Sequence, residues 1–287
     1  MNELIHIGDA DLPTTPIKLV YFDIDGTLLN QQGEYPSQLK AALLRIHNMG
    51  IKTAVASGRP QFAAQWLIDD LGLHAPGVFC TGAHIYHPAQ GAHLRQEFLP
   101  VSTLVELLDA MRQMDVYYEL YTAEHFYIER DTAAYIRATH AQHLRVAPSV
   151  QHFDDIIGAQ PVIKLLMGAN QPADIAAVYE LERVFSDRCV FAYAKLPAYP
   201  DWLFASIIDI RADKKAAFNY LLEHHQLTAE QVMSFGDAQS DMQFLQAAGV
   251  GVAMGNAAPE VKAAARFTTK AVWDNGIAYA LERLIPG

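Results

Sequence analysis

Residues 17–27 read IKLVYFDIDGT, an apolar run that ends in two acidic residues, a glycine and a threonine. The run 17–22 is β-prone, and Asp23 and Asp25 stand two apart, so their side chains point the same way if the strand continues. Open α/β sheets bind ligands at the carboxyl ends of their parallel strands, which is where this pair would lie. One carboxylate could attack a phosphorus centre while the other donates a proton to the leaving group. A simple Asx turn explains the same residues about equally well.

A second acidic pair follows another apolar strand near the end of the chain. Asp237 comes after the run 232–236, and Asp241 stands four residues later, so the two would share a face at the start of a helix. Clustered carboxylates repel one another unless a hard cation lies between them, and oxygen ligands suit Mg²⁺. We therefore expect a magnesium site, with helix N-capping by either residue as the structural alternative.

Groups that can hold a phosphate occur at two further strand ends. Ser57 follows the run 53–56, and its hydroxyl with the N–H groups from Gly58 onward could bind phosphoryl oxygens at a helix N-terminus. Lys214 opens a helix after a late strand, where its ammonium could reach the same anion. Lys215 is adjacent, and the sequence does not say which ammonium faces inward.

The pattern of apolar and polar residues changes in the middle of the chain. Continuous apolar strands alternate with amphipathic helices in residues 17–85 and 209–287, which indicates a parallel sheet covered on both faces. The segment 86–208 has an α+β pattern instead. We predict one α/β core made of both ends, an α+β domain with its own sheet inserted between them, and an N-terminal extension over residues 1–16.

Two clusters in the middle of the chain allow more than one interpretation. The runs 117–121 and 126–129 alternate aromatic and polar residues and predict a hairpin with one face open to ligand or solvent, although packing in the core of the inserted domain is favoured over a substrate platform. His84, His87 and His93 are close in sequence, but no cysteine or acid accompanies them at ligand spacing. A zinc site is therefore the weaker interpretation.

Composition limits the class of partner. The formal net charge of −11 argues against a nucleic-acid groove or an anionic membrane surface, so a small anionic substrate would need local cations or a metal. Cys80 and Cys189 lie far apart in apolar contexts, as expected of buried thiols in a reducing compartment. The first sixteen residues lack a secretory pattern, and no uncharged apolar stretch is long enough to cross a bilayer. We expect a cytoplasmic protein that binds a small-molecule phosphate ester.

Taken in order, these motifs resemble the haloacid dehalogenase (HAD) superfamily, and their details are similar to its Cof-type sugar-phosphatase-like branch. The resemblance covers the chain from Ile17 to the end. The runs that carry it are 21–29 (YFDIDGTLL), 56–59 (ASGR), 212–215 (ADKK), 235–241 (FGDAQSD), 251–257 (GVAMGNA) and 274–278 (DNGIA). The resemblance implies a Rossmann-like parallel-sheet core, an inserted α+β cap domain of the C2 type, and the activity of a phosphoric monoester hydrolase.

The resemblance also implies a role for each matching residue. Asp23 would be the nucleophile that forms an aspartyl-phosphate, and Asp25 would be the general acid that later activates water. Ser57, Gly58 and Lys214 would hold the phosphoryl oxygens. Because Asp25 must be protonated for part of the cycle, we expect the acids around it to raise its pKa.

The metal and the substrate would contact further residues. Mg²⁺ would be held by the Asp23 carboxylate, the Asp25 backbone carbonyl, Asp237, and Asp241 as a ligand or as the partner of one. Thr27, Arg59 and Ser240 are expected close to the substrate. Three positions depart from the usual pattern of the branch, with Ser240 in place of Asn, Lys215 in place of Gly, and Thr81 in place of Asn. None of these changes removes a carboxylate, the serine or the lysine.

Hydrolysis of small phosphomonoesters, such as a sugar phosphate or a cofactor phosphate, is the leading hypothesis. A phosphomutase or phosphotransferase would pass the phosphoryl group to a sugar instead of water, and an insert of this size and position favours hydrolysis. A non-catalytic protein that binds phospholigands would be expected if a carboxylate of the set were missing, and all four are present.

Overall fold

A computed structural model describes residues 12–114, 116–129, 134–196 and 199–286, without the side chains of residues 195 and 196. Most of the predicted N-terminal extension, residues 1–11, lies outside these ranges. Within them, no helix has both the length and the apolar character needed to cross a membrane.

The described ranges contain fourteen β-strands and ten α-helices. The first part of the chain forms β1 (Leu19–Phe22), α1 (Leu39–Asn48), β2 (Lys52–Val55), α2 (Gln61–Leu71), β3 (Gly77–Phe79), β4 (His84–His87) and β5 (Ala92–Gln96). The middle forms α3 (Val101–Arg112), β6 (Tyr117–Tyr121), β7 (Phe126–Ile128), α4 (Ala134–Leu144), β8 (Ser149–Val150), α5 (Phe153–Ile157), β9 (Lys164–Ala169), α6 (Pro172–Phe185), β10 (Cys189–Leu196) and β11 (Tyr199–Asp209). The last part forms α7 (Lys214–His225), β12 (Val232–Gly236), α8 (Met242–Ala247), β13 (Val250–Ala253), α9 (Pro259–Ala264), β14 (Phe267–Thr268) and α10 (Gly276–Leu284).

A five-stranded parallel sheet joins the two ends of the chain, in the order β14-β13-β12-β1-β2. Strand β1 lies between β12 and β2, and its residues alternate between two hydrophobic clusters. Val20 and Phe22 pack in one cluster, and Leu19 and Tyr21 pack in the other. A strand buried on both faces reads as a continuous apolar run, which is why 17–22 shows no polar alternation. The residues that follow β1 therefore emerge at the carboxyl edge of the sheet, between the ends of β12 and β2.

The middle of the chain forms a separate six-stranded sheet, in the order β10-β11-β9-β6-β7-β8. Its pairs are antiparallel except for β7 with β8. Apolar residues of α3 and α6 pack with one face of this sheet. The α/β fold class is confirmed, with a parallel core and an inserted sheet of its own, and we call the inserted part the cap.

Strand β3 does not extend the parallel core sheet. It meets the core sheet through a single bridge between Ala56 and Val78, and it pairs antiparallel with β4, which in turn pairs with β5. These strands form a three-stranded sheet beside the core sheet. The predicted domain limits after residues 85 and 208 fall inside β4 and β11, and the exact division into domains stays a prediction.

The expectation of an open face on the aromatic hairpin is wrong. Strands β6 and β7 do pair antiparallel, but every residue in both is buried. Tyr117, Tyr121 and Phe126 belong to a cluster that also contains Ala63 of α2 in the core. The cap therefore lies against the core on this face, and the polar atoms of the hairpin are satisfied inside the protein.

Candidate active site

Three carboxylates meet at the carboxyl edge of the core sheet. Asp23 follows β1, Asp237 follows the neighbouring β12, and Asp241 lies in the short turn that leads into α8. One oxygen from each lies within 4.8 Å of the others, and no other group of three His, Cys, Asp or Glu side chains in the described part of the chain is as close. Adjacent parallel strands end at the same edge, so the fold itself brings these residues together.

The environment of this group favours a bound cation. Burial and the Asp241 carboxylate raise the pKa of Asp23 well above its usual range, although Lys214 opposes the shift. Burial and Asp241 also raise the pKa of Asp237 to about 7. These raised pKa values reflect burial and mutual repulsion, which oppose the ionisation of all three carboxylates when no metal is bound. An acid-rich, oxygen-only set of this kind fits Mg²⁺.

The turn after β1 holds Asp237 in place. The Thr27 hydroxyl donates to Asp237 Oδ1 at 2.9 Å, and Asn256 Nδ2 donates to the Gly26 carbonyl at 2.8 Å and to Asp237 Oδ2 at 3.2 Å. Gly26 has a φ of +83°, and a Cβ there would lie 2.1 Å from Asp237 Oδ2. Only glycine allows this approach. Sequence reasoning assigned no role to Asn256, although it lies in one of the runs that carried the resemblance.

Lys214, rather than Lys215, faces the carboxylates. Its Nζ lies 2.8 Å from Asp241 Oδ1, and both side chains are almost fully buried, whereas Lys215 is exposed. Asp213 caps α7 by accepting the backbone N–H of Ala216 at 2.8 Å, which fixes Lys214 as the first residue of the helix. Burial would lower the pKa of Lys214, but the nearby carboxylates, chiefly Asp241, outweigh it and raise the pKa. The ammonium therefore stays charged inside the protein.

Ser57 lies two residues beyond the end of β2, the strand that pairs with β1. It is buried, its backbone N–H donates to the Val78 carbonyl at 2.8 Å, and its Oγ accepts the backbone N–H of Arg59 at 3.3 Å. The next residue, Gly58, is exposed. The loop thus offers a rigid serine next to backbone that a ligand can reach.

The Asp25 carboxylate is not part of this group of three, although its charge acts on Asp23 and Asp237. Arg59 donates from Nη2 to Asp25 Oδ1 at 2.6 Å and from Nε to Oδ2 at 2.8 Å. Arg59 Nη1 also donates to the carbonyl of His143 in α4 of the cap at 2.9 Å, and His143 Nε2 lies 3.4 Å from Asp25 Oδ2. Sequence reasoning did not single out His143.

The expectation that neighbouring acids raise the pKa of Asp25 is wrong. Burial alone would raise it, but the charge and hydrogen bonds of Arg59, with those of His143, hold the pKa of Asp25 well below its usual range. A cation that donates two hydrogen bonds directly to a carboxylate has a larger effect on its pKa than carboxylates that lie further away. In this arrangement Asp25 is ionised and is bound to both the core and the cap.

The other predicted residues lie around this centre. Thr27 is fully buried, and its hydroxyl contacts Asp237. Ser240 is exposed, and its Oγ lies 3.4 Å from Asp241 Oδ1. His84 Nε2 lies 2.9 Å from His93 Nδ1, and burial together with His93 lowers the pKa of His84 to about 4. These two histidines contact each other, and the metal-capable group in the described residues does not include them.

Comparison with known proteins shows which family the chain belongs to. The family profile of haloacid dehalogenase-like hydrolases matches residues 20–281. The chain is 25% identical over 288 residues to the 5-amino-6-(5-phospho-D-ribitylamino)uracil phosphatase YwtE of Bacillus subtilis, which covers 94% of this chain and 99% of that protein. It is 26% identical over 262 residues to the pyridoxal phosphate phosphatase YbhA of Escherichia coli, covering 87% of this chain and 92% of that protein.

A solved structure is similar over almost the whole chain. The crystal structure of a haloacid dehalogenase-like hydrolase from Bacteroides thetaiotaomicron matches with a TM-score of 0.83 at 26% identity, covering 94% of this chain and 100% of that one. The chain belongs to the haloacid dehalogenase-like hydrolase family. The prediction of a phosphoric monoester hydrolase is confirmed at the level of enzyme class.

Proposed function

We propose that this chain is a Mg²⁺-dependent phosphatase that hydrolyses small phosphomonoesters through an aspartyl-phosphate on Asp23. The observation that carries the proposal is the group of Asp23, Asp237 and Asp241, in which Asp23 and Asp241 are buried and Asp237 is half-buried, with the Lys214 ammonium against Asp241. A sugar phosphate or a cofactor phosphate is the substrate class, in keeping with the named activities of the relatives YwtE and YbhA. A cytoplasmic location stays a prediction.

The metal would be held by oxygen atoms at the edge of the core sheet. Asp23, Asp237 and the Asp25 backbone carbonyl are the proposed ligands, with Asp241 as a fourth ligand or as the partner of one. When bound, Mg²⁺ would neutralise charge on the phosphoryl oxygens and on the carboxylates. Thr27 and Asn256 hold the Asp237 carboxylate in its orientation, so they would support the metal without contacting it.

The first chemical step would form a bond between a carboxylate oxygen of Asp23 and the phosphorus, while the bond from phosphorus to the ester oxygen breaks. Asp25, protonated at that point, would donate its proton to the departing alcohol. In the second step Asp25 would take a proton from water as the water oxygen attacks the phosphorus. The Asp23–phosphorus bond then breaks, which returns the Asp23 carboxylate and releases inorganic phosphate.

Asp25 could carry out these proton transfers only after its contact with Arg59 changes. An ionised carboxylate held by a guanidinium cannot donate a proton, and Arg59 also donates to the cap residue His143. We therefore place the described arrangement before productive substrate binding. A substrate whose phosphoryl group attracts Arg59 would release Asp25 to become protonated.

The phosphoryl oxygens would contact groups from two strand ends. The Ser57 loop offers the Ser57 hydroxyl and the backbone N–H of the exposed Gly58, and Lys214 offers a charged ammonium. Phosphoryl transfer depends mainly on positioning and on stabilising charge on the equatorial oxygens, and these donors are already ordered.

The proposal is tested with purified protein and a generic aryl phosphate. We expect release of inorganic phosphate with Mg²⁺, loss of release on chelation, and no turnover by Asp23→Asn with an unchanged unfolding temperature. Retention of most of the activity by Asp23→Asn would refute the nucleophile assignment. Transfer of phosphate to an added sugar in preference to water would favour the phosphotransferase alternative, and tight binding of phosphate esters without turnover would favour the non-catalytic one.

A further inference from the structure

Lys164 is a buried lysine of the cap that the proposed chemistry does not use. It is the first residue of β9, and its side chain is only 4% exposed. None of the carboxylates in the described part of the chain lies within 4.0 Å of its ammonium. A buried ammonium without an ion-pair partner is costly, so its place in the structure calls for an explanation.

The contacts of Lys164 use only part of its capacity. Its Nζ donates to the Gly58 carbonyl at 3.3 Å and lies 4.1 Å from the centre of the Tyr121 ring. An ammonium carries three N–H donors, and this is the one hydrogen bond that the Lys164 ammonium makes to the described residues. Burial lowers the pKa of Lys164, although Cys80 and Glu119 oppose the shift.

The neighbouring acid does not neutralise Lys164 directly. Glu119 is fully buried, and it accepts hydrogen bonds from the hydroxyls of Tyr117 and Tyr121 and lies 3.0 Å from Nδ1 of His140. Its oxygens are therefore already occupied. Tyr121 stands between the two charges, with its hydroxyl on Glu119 and its ring under Lys164.

The position of Lys164 links the cap to the proposed phosphate loop. Gly58 lies between Ser57 and Arg59, and it is exposed although both neighbours are buried. The ammonium thus lies beside the accessible part of this loop, on the side formed by the cap sheet. Lys214 approaches the carboxylates from the core instead.

We propose that Lys164 is a specificity-determining residue that donates hydrogen bonds to an oxygen of the substrate's leaving group. This inference rests on the proposed phosphatase function and deepens it. The leaving group would be an alcohol with further oxygen atoms near the ester, as in a sugar or polyol phosphate. The free donors of Lys164 favour such an oxygen over a hydrocarbon surface, because an apolar leaving group would leave a buried cation without a partner.

The position of Lys164 on the cap is the reason to assign it to the leaving group. The transferred phosphoryl group would already have Lys214, the Ser57 loop and the metal, all from the core. The rest of the substrate would extend toward the cap, where Lys164 is a buried cation next to the loop. A purely structural role, in which Lys164 only fastens the cap to Gly58, predicts equal losses for all substrates.

The test compares two kinds of substrate in the full-length protein. One is the best sugar or polyol phosphate from a panel, and the other is phenyl phosphate, which has no oxygen outside its phosphate group. In Lys164→Met we expect kcat/KM for the sugar or polyol phosphate to fall about tenfold or more, largely through KM, while phenyl phosphate stays within about threefold of wild type. Lys164→Arg should restore part of the loss. Lys18→Met, which changes an exposed lysine of the core, should alter neither rate.

Each other outcome decides against the inference. Equal losses for both substrates, or no loss for the sugar or polyol phosphate, would overturn it while leaving the phosphatase function intact. Failure of the wild-type protein to hydrolyse any ester would refute the proposed function and this inference with it. If Lys164→Met does not fold, Lys164→Gln serves as the second variant, and its turnover of phenyl phosphate reports whether the core site is intact.

Discussion

Arg59 holds Asp25 through two parallel hydrogen bonds of 2.6 and 2.8 Å, and the same guanidinium donates to the carbonyl of His143 in the cap. One core arginine therefore connects the proposed general acid with the domain that covers it. Bidentate pairing of this type is among the stronger hydrogen-bonded contacts in proteins. The pairing makes the ionisation of Asp25 depend on where Arg59 points.

Replacing Arg59 by Met should raise the pKa of Asp25. Burial is then opposed only by the His143 contact, so we expect the pKa to rise from well below its usual range toward that range. Carboxyl ¹³C NMR titration of the metal-free protein measures the change, with the signal assigned by its loss in Asp25→Asn. Arg45→Met is the matched control because Arg45 makes two hydrogen bonds to backbone carbonyls at the end of α10. An unchanged Asp25 pKa in Arg59→Met would show that another group keeps it low.

Substitutions of Lys214 and of Lys215 should have very different effects on turnover and stability, although the two residues are neighbours in the sequence. Lys214→Met leaves the buried Asp241 without its cation, so we expect turnover to fall about 100-fold or more and the free energy of unfolding to drop by roughly 3–5 kcal/mol. Lys215 is exposed, and Lys215→Met should change the free energy of unfolding by about 0.5 kcal/mol or less. Steady-state kinetics and urea unfolding provide both measurements. Similar losses in the two variants would contradict the assignment of Lys214 as the inward lysine.

The residues at strand ends could be predicted from the sequence because local pattern determines them. A continuous apolar run predicts a strand buried on both faces, and the acid that follows it must emerge at the edge of the sheet, as Asp23 does. Asp237 is placed in the same way by β12. Two such strands are enough to predict a shared carboxylate site, even though 214 residues separate these aspartates.

The orientation of single side chains could not be predicted in this way. Asp25 was expected to follow strand geometry, but the strand ends at Phe22, and its carboxylate meets an arginine that also bonds a residue 84 positions further along the chain. The prediction of an open face on the aromatic hairpin was wrong for a related reason. Glu119 and its tyrosine neighbours read as a polar face, yet their polar atoms satisfy one another inside the cap. The alternation of polar and apolar residues in a sequence shows which residues are polar. It does not show which polar groups form hydrogen bonds with each other inside the protein.

Gly26 should tolerate no side chain because of its contact with Asp237. In Gly26→Ala the new Cβ would overlap Asp237 Oδ2 and the residue would also keep a positive φ. We expect the affinity for Mg²⁺ to fall by about tenfold or more, because the carboxylate must move. Gly33→Ala is the control, since Gly33 has a φ of +74° with nothing near its Cβ position, so backbone strain alone should cost about 1 kcal/mol and leave metal binding unchanged. Isothermal titration calorimetry distinguishes the two. Equal metal affinity in both variants would refute the proposed role of this contact.

The effect of Mg²⁺ on stability should increase with pH, because Asp237 has a raised pKa of about 7 in the metal-free protein. Between about pH 4 and 7 the folded state binds a proton there that the unfolded state has lost, so the contribution of Asp237 to stability without metal falls as pH rises through this window. Asp23 shifts in the same direction and adds to the slope. Mg²⁺ needs these carboxylates ionised, and it relieves the repulsion that opposes their ionisation.

We therefore expect Mg²⁺ to raise the unfolding temperature more at about pH 8 than at about pH 6. Thermal unfolding with chelator and with saturating Mg²⁺ measures both curves. Asp237→Asn removes the titrating group, so this contribution to the pH dependence should be lost and the gain from Mg²⁺ should be small throughout. An equal Mg²⁺ effect at both pH values would mean that the carboxylates are already ionised at about pH 6 without the metal, which would contradict the electrostatic origin proposed for the site.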